Sequence, residues 1–429
     1  MYQYITSFVL SFLFSLVSFA QQVPAKPQSA PITIVGATLH TGEGTVVENA
    51  SFIFEKGIIT QIGNQNLIPK GQVIQLNGAH VYPGFIALNS TLGLGEIDAV
   101  RASMDIREIG QITPNIRSLI AYNAESKVVE SMRPNGVLLA QIVPRGGRIT
   151  GSSSVVQLDA WNWEDAAVKI DEGIHVNWPS AFTRGRWWLG ESSAYKPNEN
   201  YLEQVEELRS FLMNAKAYLS EKPKERNLTF ESVAGLFDGT QSLYINATTE
   251  KEITDAVYFA KAFGISKTVL VGAYHAYKTI DLLKAHDIAV IVPRTQDLPR
   301  FEDDDYDLPY KMAKLLSDAG IVVSIDTSGD MERMNTRNLP FYAGQVVGQG
   351  LEKEKALQLI TLNAAKILGI DERYGSLKVG KSATFFVATG DALDPIGNQL
   401  KHAFIDGRAI SLESHQTELY QRYSEKFGK

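Results

Sequence analysis

The chemistry open to this chain is narrowed first by what it lacks. It has no cysteine, which excludes thiolate metal sites, disulfides and a cysteine nucleophile, so a bound metal would need His, Asp, Glu or a modified Lys. Of its seven histidines, two stand beside apolar runs: His175 in "VKIDEGIHVNWP" and His275 in "TVLVGAYHAYK". Asp326 closes the run "GIVVSID", where a carboxylate could act as a base, contact a ligand, or simply cap the next loop through backbone N–H groups. The stretch "PRGGRITGSSS" carries Arg145 and Arg148, which could hold a carboxylate, in a Gly- and Ser-rich context whose backbone N–H groups can also bind anions. Ser152, Ser153 and Ser154 follow, but none stands in a Gly-x-Ser-x-Gly elbow, so a serine hydrolase lacks support. The acidic run "FEDDDYD" could hold a cation, although a solvated loop is the commoner outcome.

Such residues need a frame to bring them together. At 429 residues, 44% hydrophobic and 21% charged, the chain has the composition of a globular protein, with room for one large domain and a smaller one. The net charge of -7 comes without any basic block, so the electrostatic footprint of a nucleic-acid binder is missing.

The first twenty residues contain an apolar run from Phe8 to Ala20 that ends in Ser-Phe-Ala. This predicts a secretory signal over 1–20, although no Lys or Arg precedes the run. The run is short beside the roughly 20 residues a membrane span needs, and without cysteine there is no lipoprotein anchor. The expectation is export to the periplasm or beyond with no stable membrane anchor. The Pro- and Gln-rich residues 21–30 read as a linker.

From Pro31 to Tyr82, short alternating runs punctuated by Gly predict strands joined by tight turns. Beyond Pro83 the pattern changes. Apolar β-branched runs such as "GVLLAQIV", "SLYINAT", "KTVLVGA" and "IAVIVP" appear, several followed by amphipathic helices such as "EKEITDAVYFAKAFG". Repeated βα units of this kind predict an α/β fold with a parallel sheet, best a (β/α)8 TIM barrel over 83–374. The strand-rich ends, 31–82 and 375–412, are expected to pack together as one small β-sandwich, with a peripheral helix over 413–429.

Two stretches are specific enough to compare with known families: "ITIVGATLHTGEGTVVENASFIFEKGIITQIG" followed by "VYPGFI", and "ALQLITLNAAKILGIDERYGSLKVGKSATFFV". They resemble the opening and the closing helix-and-return of the amidohydrolase superfamily, in its imidazolonepropionase-like branch. The resemblance implies one or two divalent metals at the C-terminal mouth of the barrel. The ligands would be a His-x-His pair on the first strand, a carboxylated Lys or a Glu on the fourth, single His residues on the fifth and sixth, and an Asp on the eighth. A metal held so acidifies a water, and the Asp takes its proton.

Carried onto this sequence, the resemblance places Asn89 and Thr91 where the His pair should stand and Asn246 at the fifth-strand His. His275 falls two or three residues late, Lys169 and His175 lie near the fourth-strand position, and Asp326 fits without strain. As residues i and i+2 of a strand, Asn89 and Thr91 are expected to share one face. Amide and hydroxyl oxygens are weak zinc ligands, so the implied metal, zinc by its ligands, is expected to be lost, leaving no resident cofactor. Asp326 is then the catalytic candidate, and Asn89, Thr91, Asn246, His275 and His175 are candidates for binding substrate.

The expected protein is an exported relative of hydrolases acting on non-peptide C–N bonds. It would bind a small amide or peptide-like ligand, or assist a catalytically competent homologue, with weak or no hydrolysis. The rival expectation is an active amidohydrolase with a mononuclear or non-standard site.

Overall fold

The structure, a computed structural model, describes residues 23–64, 66–221 and 225–428. The predicted signal segment and the start of the linker lie outside the described residues.

Both chain ends build one sheet. Strands β1 (Ile32–His40), β2 (Val46–Glu55), β3 (Ile58–Gly63), β4 (Gln72–Gln75) and β5 (His80–Pro83) come from the first end. The barrel strands follow: β6 (Phe85–Ser90), β7 (Val137–Ile142), β8 (Ile149–Gln157) and β9 (Ala167–Asn177), then, after a small hairpin of β10 (Phe182–Arg184) and β11 (Tyr195–Pro197), β12 (Ser242–Asn246), β13 (Thr268–Val271), β14 (Ala289–Val292) and β15 (Val323–Ile325). Strands β16 (Phe385–Ala388), β17 (Leu400–Ile405) and β18 (Arg408–Ala409) return to the first sheet, whose order is β18-β17-β16-β5-β1-β2-β3, with β4 beside β1.

The ends pack together as predicted, in one hydrogen-bonded sheet that curls so that its two halves face each other across a shared core. In a flat sheet β2 and β17 would lie nearly 20 Å apart, four strands at about 4.8 Å each. Yet the rings of Phe54 on β2 and Phe404 on β17 meet edge-on at 5.3 Å, and Phe385 fills the space between them. Two tight hairpins trim this sheet. Lys56-Gly57 joins β2 to β3 and Asp406-Gly407 joins β17 to β18, all four residues at positive φ, the geometry of a type I′ turn. The turns abut, and a Cβ on Gly57 would lie 2.8 Å from the Asp406 carbonyl oxygen.

The second sheet is the barrel, in the order β6-β7-β8-β9-β12-β13-β14-β15, with a bridge from Leu88 to Asp326 joining its last strand to its first. Its strands are buried almost throughout, because helices cover the outer face and side chains fill the inside. One strand departs from the predicted pattern. β8 runs antiparallel to both neighbours. The six residues between β7 and β8 are too few for a parallel crossover, which takes about a dozen residues, so the chain turns back as a hairpin. That turn, carrying Arg145, therefore sits at the mouth end of the barrel.

The described part of the linker, 23–30, is docked against the protein. The Ala25 backbone N–H donates to Asp159 and its carbonyl accepts from Arg408, while Gln28 bonds Phe54 and Gly57 of the first sheet. Among the described residues no helix is long and apolar enough to cross a membrane.

Candidate functional site

A cavity of about 420 Å³ opens at the C-terminal mouth of the parallel strands. Its wall includes Asn89, Thr91, Arg145, His175, Asn246 and Glu332. Four of the six predicted site residues thus share one chamber. The register places three strand ends side by side there, Asn177 of β9 beside Asn246 of β12 beside Val271 of β13.

Asn89 is the hub of the wall. Its φ of 50° is left-handed, a conformation Asn tolerates better than most residues, and the pairing register of β6 slips between Ala87 and Ser90. Its Nδ2 donates to Asp326 at 2.8 Å, its Oδ1 accepts from Arg145 at 2.6 Å, its carbonyl oxygen accepts from Arg145 at 2.7 Å, and its N–H donates to Gln141. The strict alternation expected from Asn89 to Thr91 therefore fails at Asn89 itself. Thr91 turns to a different partner: its hydroxyl donates to Glu332 at 2.5 Å, beside the Ser90 hydroxyl, which donates to the same carboxylate at 2.6 Å.

Asp326 lies beneath the wall, fully buried, and takes three donors: Nδ2 of Asn89 and both the N–H and hydroxyl of Ser328. Burial nevertheless dominates and raises its pKa above the ordinary carboxylate value. Both readings of Asp326 have a structural counterpart here, since it caps the loop at Ser328 and also holds the hub residue of the cavity.

Behind His175 lies a polar network that sequence reasoning missed. His175 Nε2 meets the Ser153 hydroxyl at 2.9 Å, and that hydroxyl donates to Glu172 at 2.5 Å. Glu172 also accepts from Gln141 at 2.6 Å and from the Tyr244 hydroxyl at 2.9 Å. The Tyr244 ring stacks on His175 with centroids 4.5 Å apart and planes 4° apart. The stack exists because residue 173 is Gly, where a Cβ would lie 2.3 Å from the Tyr244 ring. Burial lowers the His175 pKa well below its ordinary value, with Arg145 adding to the shift, and burial raises that of Glu172. The sequence held one faint signal, a Glu three residues before a His, but Asp171 at φ 48° interrupts the alternation there and no strand periodicity pairs the two.

The remaining candidates fall elsewhere. Asn246 lies between the chamber and an outer cleft of about 1050 Å³, whose wall also includes His275, Trp178, Tyr195 and Phe301. His275 thus stands outside the inner chamber, its ring 4.7 Å from that of Phe301. Lys169 lies at the opposite end of β9, where its ammonium caps the helix Leu362–Leu368 through the Leu368 carbonyl at 2.7 Å, so it cannot serve at the mouth. Arg148 is engaged at the surface by Glu207. The acidic run is committed to loop caps and ion pairs through Asp304, Asp305 and Asp307.

The metal that the resemblance implies does not fit this donor set. Among the described residues no three His, Asp or Glu side chains are grouped to hold an ion. Asn89 and Thr91 spend their protons on Asp326 and Glu332, and Asn246 donates to Asn177. The arrangement is suited to recognising polar groups by hydrogen bonds and by the Arg145 guanidinium.

Comparison with known proteins accounts for the frame. Residues 241–410, from the start of β12 to the end of β18, match the amidohydrolase family. A crystal structure of an amidohydrolase from Thermotoga maritima MSB8 superposes with a TM-score of 0.76 over 89% of this chain and 99% of that one, at 21% identity. Residues 241–410 are thus similar to the amidohydrolases, and the chain as a whole shares the fold of a solved amidohydrolase. Imidazolonepropionase of Syntrophobacter fumaroxidans is 38% identical over 82 residues, which span 19% of this chain and 19% of that enzyme. A Xaa-Pro dipeptidase crystallised with methionine in its active site shares the fold more loosely, with a TM-score of 0.53 at 12% identity over 89% of this chain and all of that one.

Proposed function

We propose that the barrel mouth binds a small amide or peptide-like molecule bearing a carboxylate, without the metal-dependent hydrolysis of the fold's active members. One observation carries this reading. Arg145 lines the cavity, held in place by two neutral oxygens of Asn89, and among the described residues no carboxylate forms an ion pair with it. A guanidinium so oriented, partly withdrawn from water and with no described carboxylate at ion-pair distance, favours an anionic group that can accept its remaining N–H donors. Three supports for catalytic decay accompany it: Asn89, Thr91 and Asn246 stand at the implied ligand positions, and each has a hydrogen-bond partner that replaces a metal. The chain would act after export, directed by the apolar segment before residue 21, either alone or beside a catalytically competent homologue.

The rival reading is a working hydrolase of C–N bonds with a single or non-standard metal, favoured by hydrolase relatives such as the dipeptidase. Elemental analysis and calorimetry separate the two. Protein purified without chelators should hold well under one equivalent of zinc, manganese or iron. N-acyl amino acids and dipeptides should bind more tightly than their C-terminal amides, and Arg145→Met should remove that preference. Stoichiometric metal together with hydrolysis of these compounds would establish the rival. Equal affinity for acids and amides would remove the role assigned to Arg145.

A further inference from the structure

We infer that Glu172, acting through Ser153, fixes the proton arrangement of His175 so that its Nδ1 faces the cavity as a bare hydrogen-bond acceptor for an N–H or O–H group of the ligand. The inference rests on the reading of this cavity as a ligand site, and it adds a positioning pair, Ser153 and Glu172, that touches no ligand itself.

The argument is a count of protons. The Ser153 hydroxyl has one, and its nearest acceptor is Glu172 Oε1 at 2.5 Å, against 3.3 Å to the Gly173 carbonyl. Glu172 already accepts from Gln141 and Tyr244, so its carboxylate is built to receive, and Ser153 completes three donors. With its proton spent, Ser153 can only accept from His175, which must therefore carry hydrogen on Nε2. Nδ1 is then unprotonated, and it has no hydrogen-bond partner among the described residues although the ring lines the cavity. A half-turn of the ring would keep its stack on Tyr244 but set a C–H where Nε2 meets Ser153, so that hydrogen bond fixes the orientation of the ring.

The chain of bonds has a second state. If Glu172 gains a proton it can donate to Ser153, Ser153 then donates to His175 Nε2, and the imidazole presents Nδ1–H to the cavity. No covalent bond other than O–H and N–H changes, and the imidazole stays neutral throughout. Burial brings this within reach by raising the Glu172 pKa, opposed by the hydrogen bonds from Ser153, Gln141 and Tyr244 and then by Lys169, while the nearby Tyr244 is held neutral. Burial first, and Arg145 on the cavity side second, oppose an imidazolium. The site would thus accept a hydrogen bond from its ligand at neutral pH and donate one in acid.

The test needs no ligand, so its failure is distinct from failure of the binding reading. Imidazole nitrogen-15 spectra of the full chain, with His175 assigned by its absence in His175→Asn, should show a single Nε2–H form at neutral pH. The population should move toward Nδ1–H on acidification while the protein stays folded, with one nitrogen still bare. Ser153→Ala should give shifts averaged between the two forms. Glu172→Gln, which keeps the shape and one acceptor oxygen for Ser153 but cannot titrate, should abolish the acid swing and serves if the Ser153 variant fails to fold. An Nδ1–H form at neutral pH, or an acid swing that survives in Glu172→Gln, would overturn the inference.

Discussion

Asn89 offers a direct test of how the mouth is held, because one side chain serves a buried carboxylate, a guanidinium and a left-handed backbone together. Asn89→Ala leaves Asp326 Oδ2 without its Asn89 donor and Arg145 Nη1 without its Asn89 acceptor. Groups of this kind cost about 1–3 kcal/mol each when left unsatisfied and buried, and Arg145 is discounted because it is partly exposed to the cavity. Ala at φ 50° adds roughly 1 kcal/mol of backbone strain. The expected loss is about 3 kcal/mol, read as a lower midpoint in urea at unchanged m.

Asn89→Gly loses the same hydrogen bonds but accepts the backbone, so it should be milder than Ala by about 1 kcal/mol. The loss should also depend on pH. Because the folded pKa of Asp326 lies above its unfolded value, the folded state holds the extra proton between the two, and stability falls as pH rises through that window. Removing the Asn89 donor raises the folded value further and extends the window upward, so the variant should be least impaired in acid. A loss below about 0.5 kcal/mol in Asn89→Ala would refute the hydrogen-bond assignment. A Gly variant no better than the Ala variant would refute the left-handed backbone.

Three further outcomes are expected. Gly173→Ala places a Cβ within 2.3 Å of the Tyr244 ring and should cost about 1–3 kcal/mol by overpacking, with a change in the His175 nitrogen shifts as the stack is displaced. Asp159→Ala removes the carboxylate that pairs the buried Arg133, pairs Arg408 and accepts from the Ala25 N–H; it should cost about 3–5 kcal/mol and expose residues 23–30 to limited proteolysis. Burial lowers the pKa of His80, His175 and His275, so the unfolded chain binds more protons than the folded one below their ordinary value of 6.5. Stability should therefore be lost as pH falls from about 6.5, and His175→Phe, which keeps a ring on Tyr244, should flatten that slope in urea titrations.

Much of the architecture is a consequence of local sequence. Apolar runs of four to six residues in β6, β7 and β12–β14 can only be strands buried on both faces, and the gaps between most of them are long enough for the crossovers that parallel strands require. The missing cysteines likewise exclude thiolate metal chemistry, whereas the reading of residues 89, 91 and 246 as replaced ligands comes from the family resemblance. What the sequence could not convey is which side chains meet. Asn89 reaches Asp326 across 237 residues because closure of the barrel sets the first strand beside the last. Glu172 reaches His175 only because an antiparallel β8 sets Ser153 between them and β12 sets Tyr244 against both. Residue type fixes what a side chain can donate or accept, but its direction depends on backbone dihedrals and on neighbours supplied by distant segments, and these exist only once the barrel has closed.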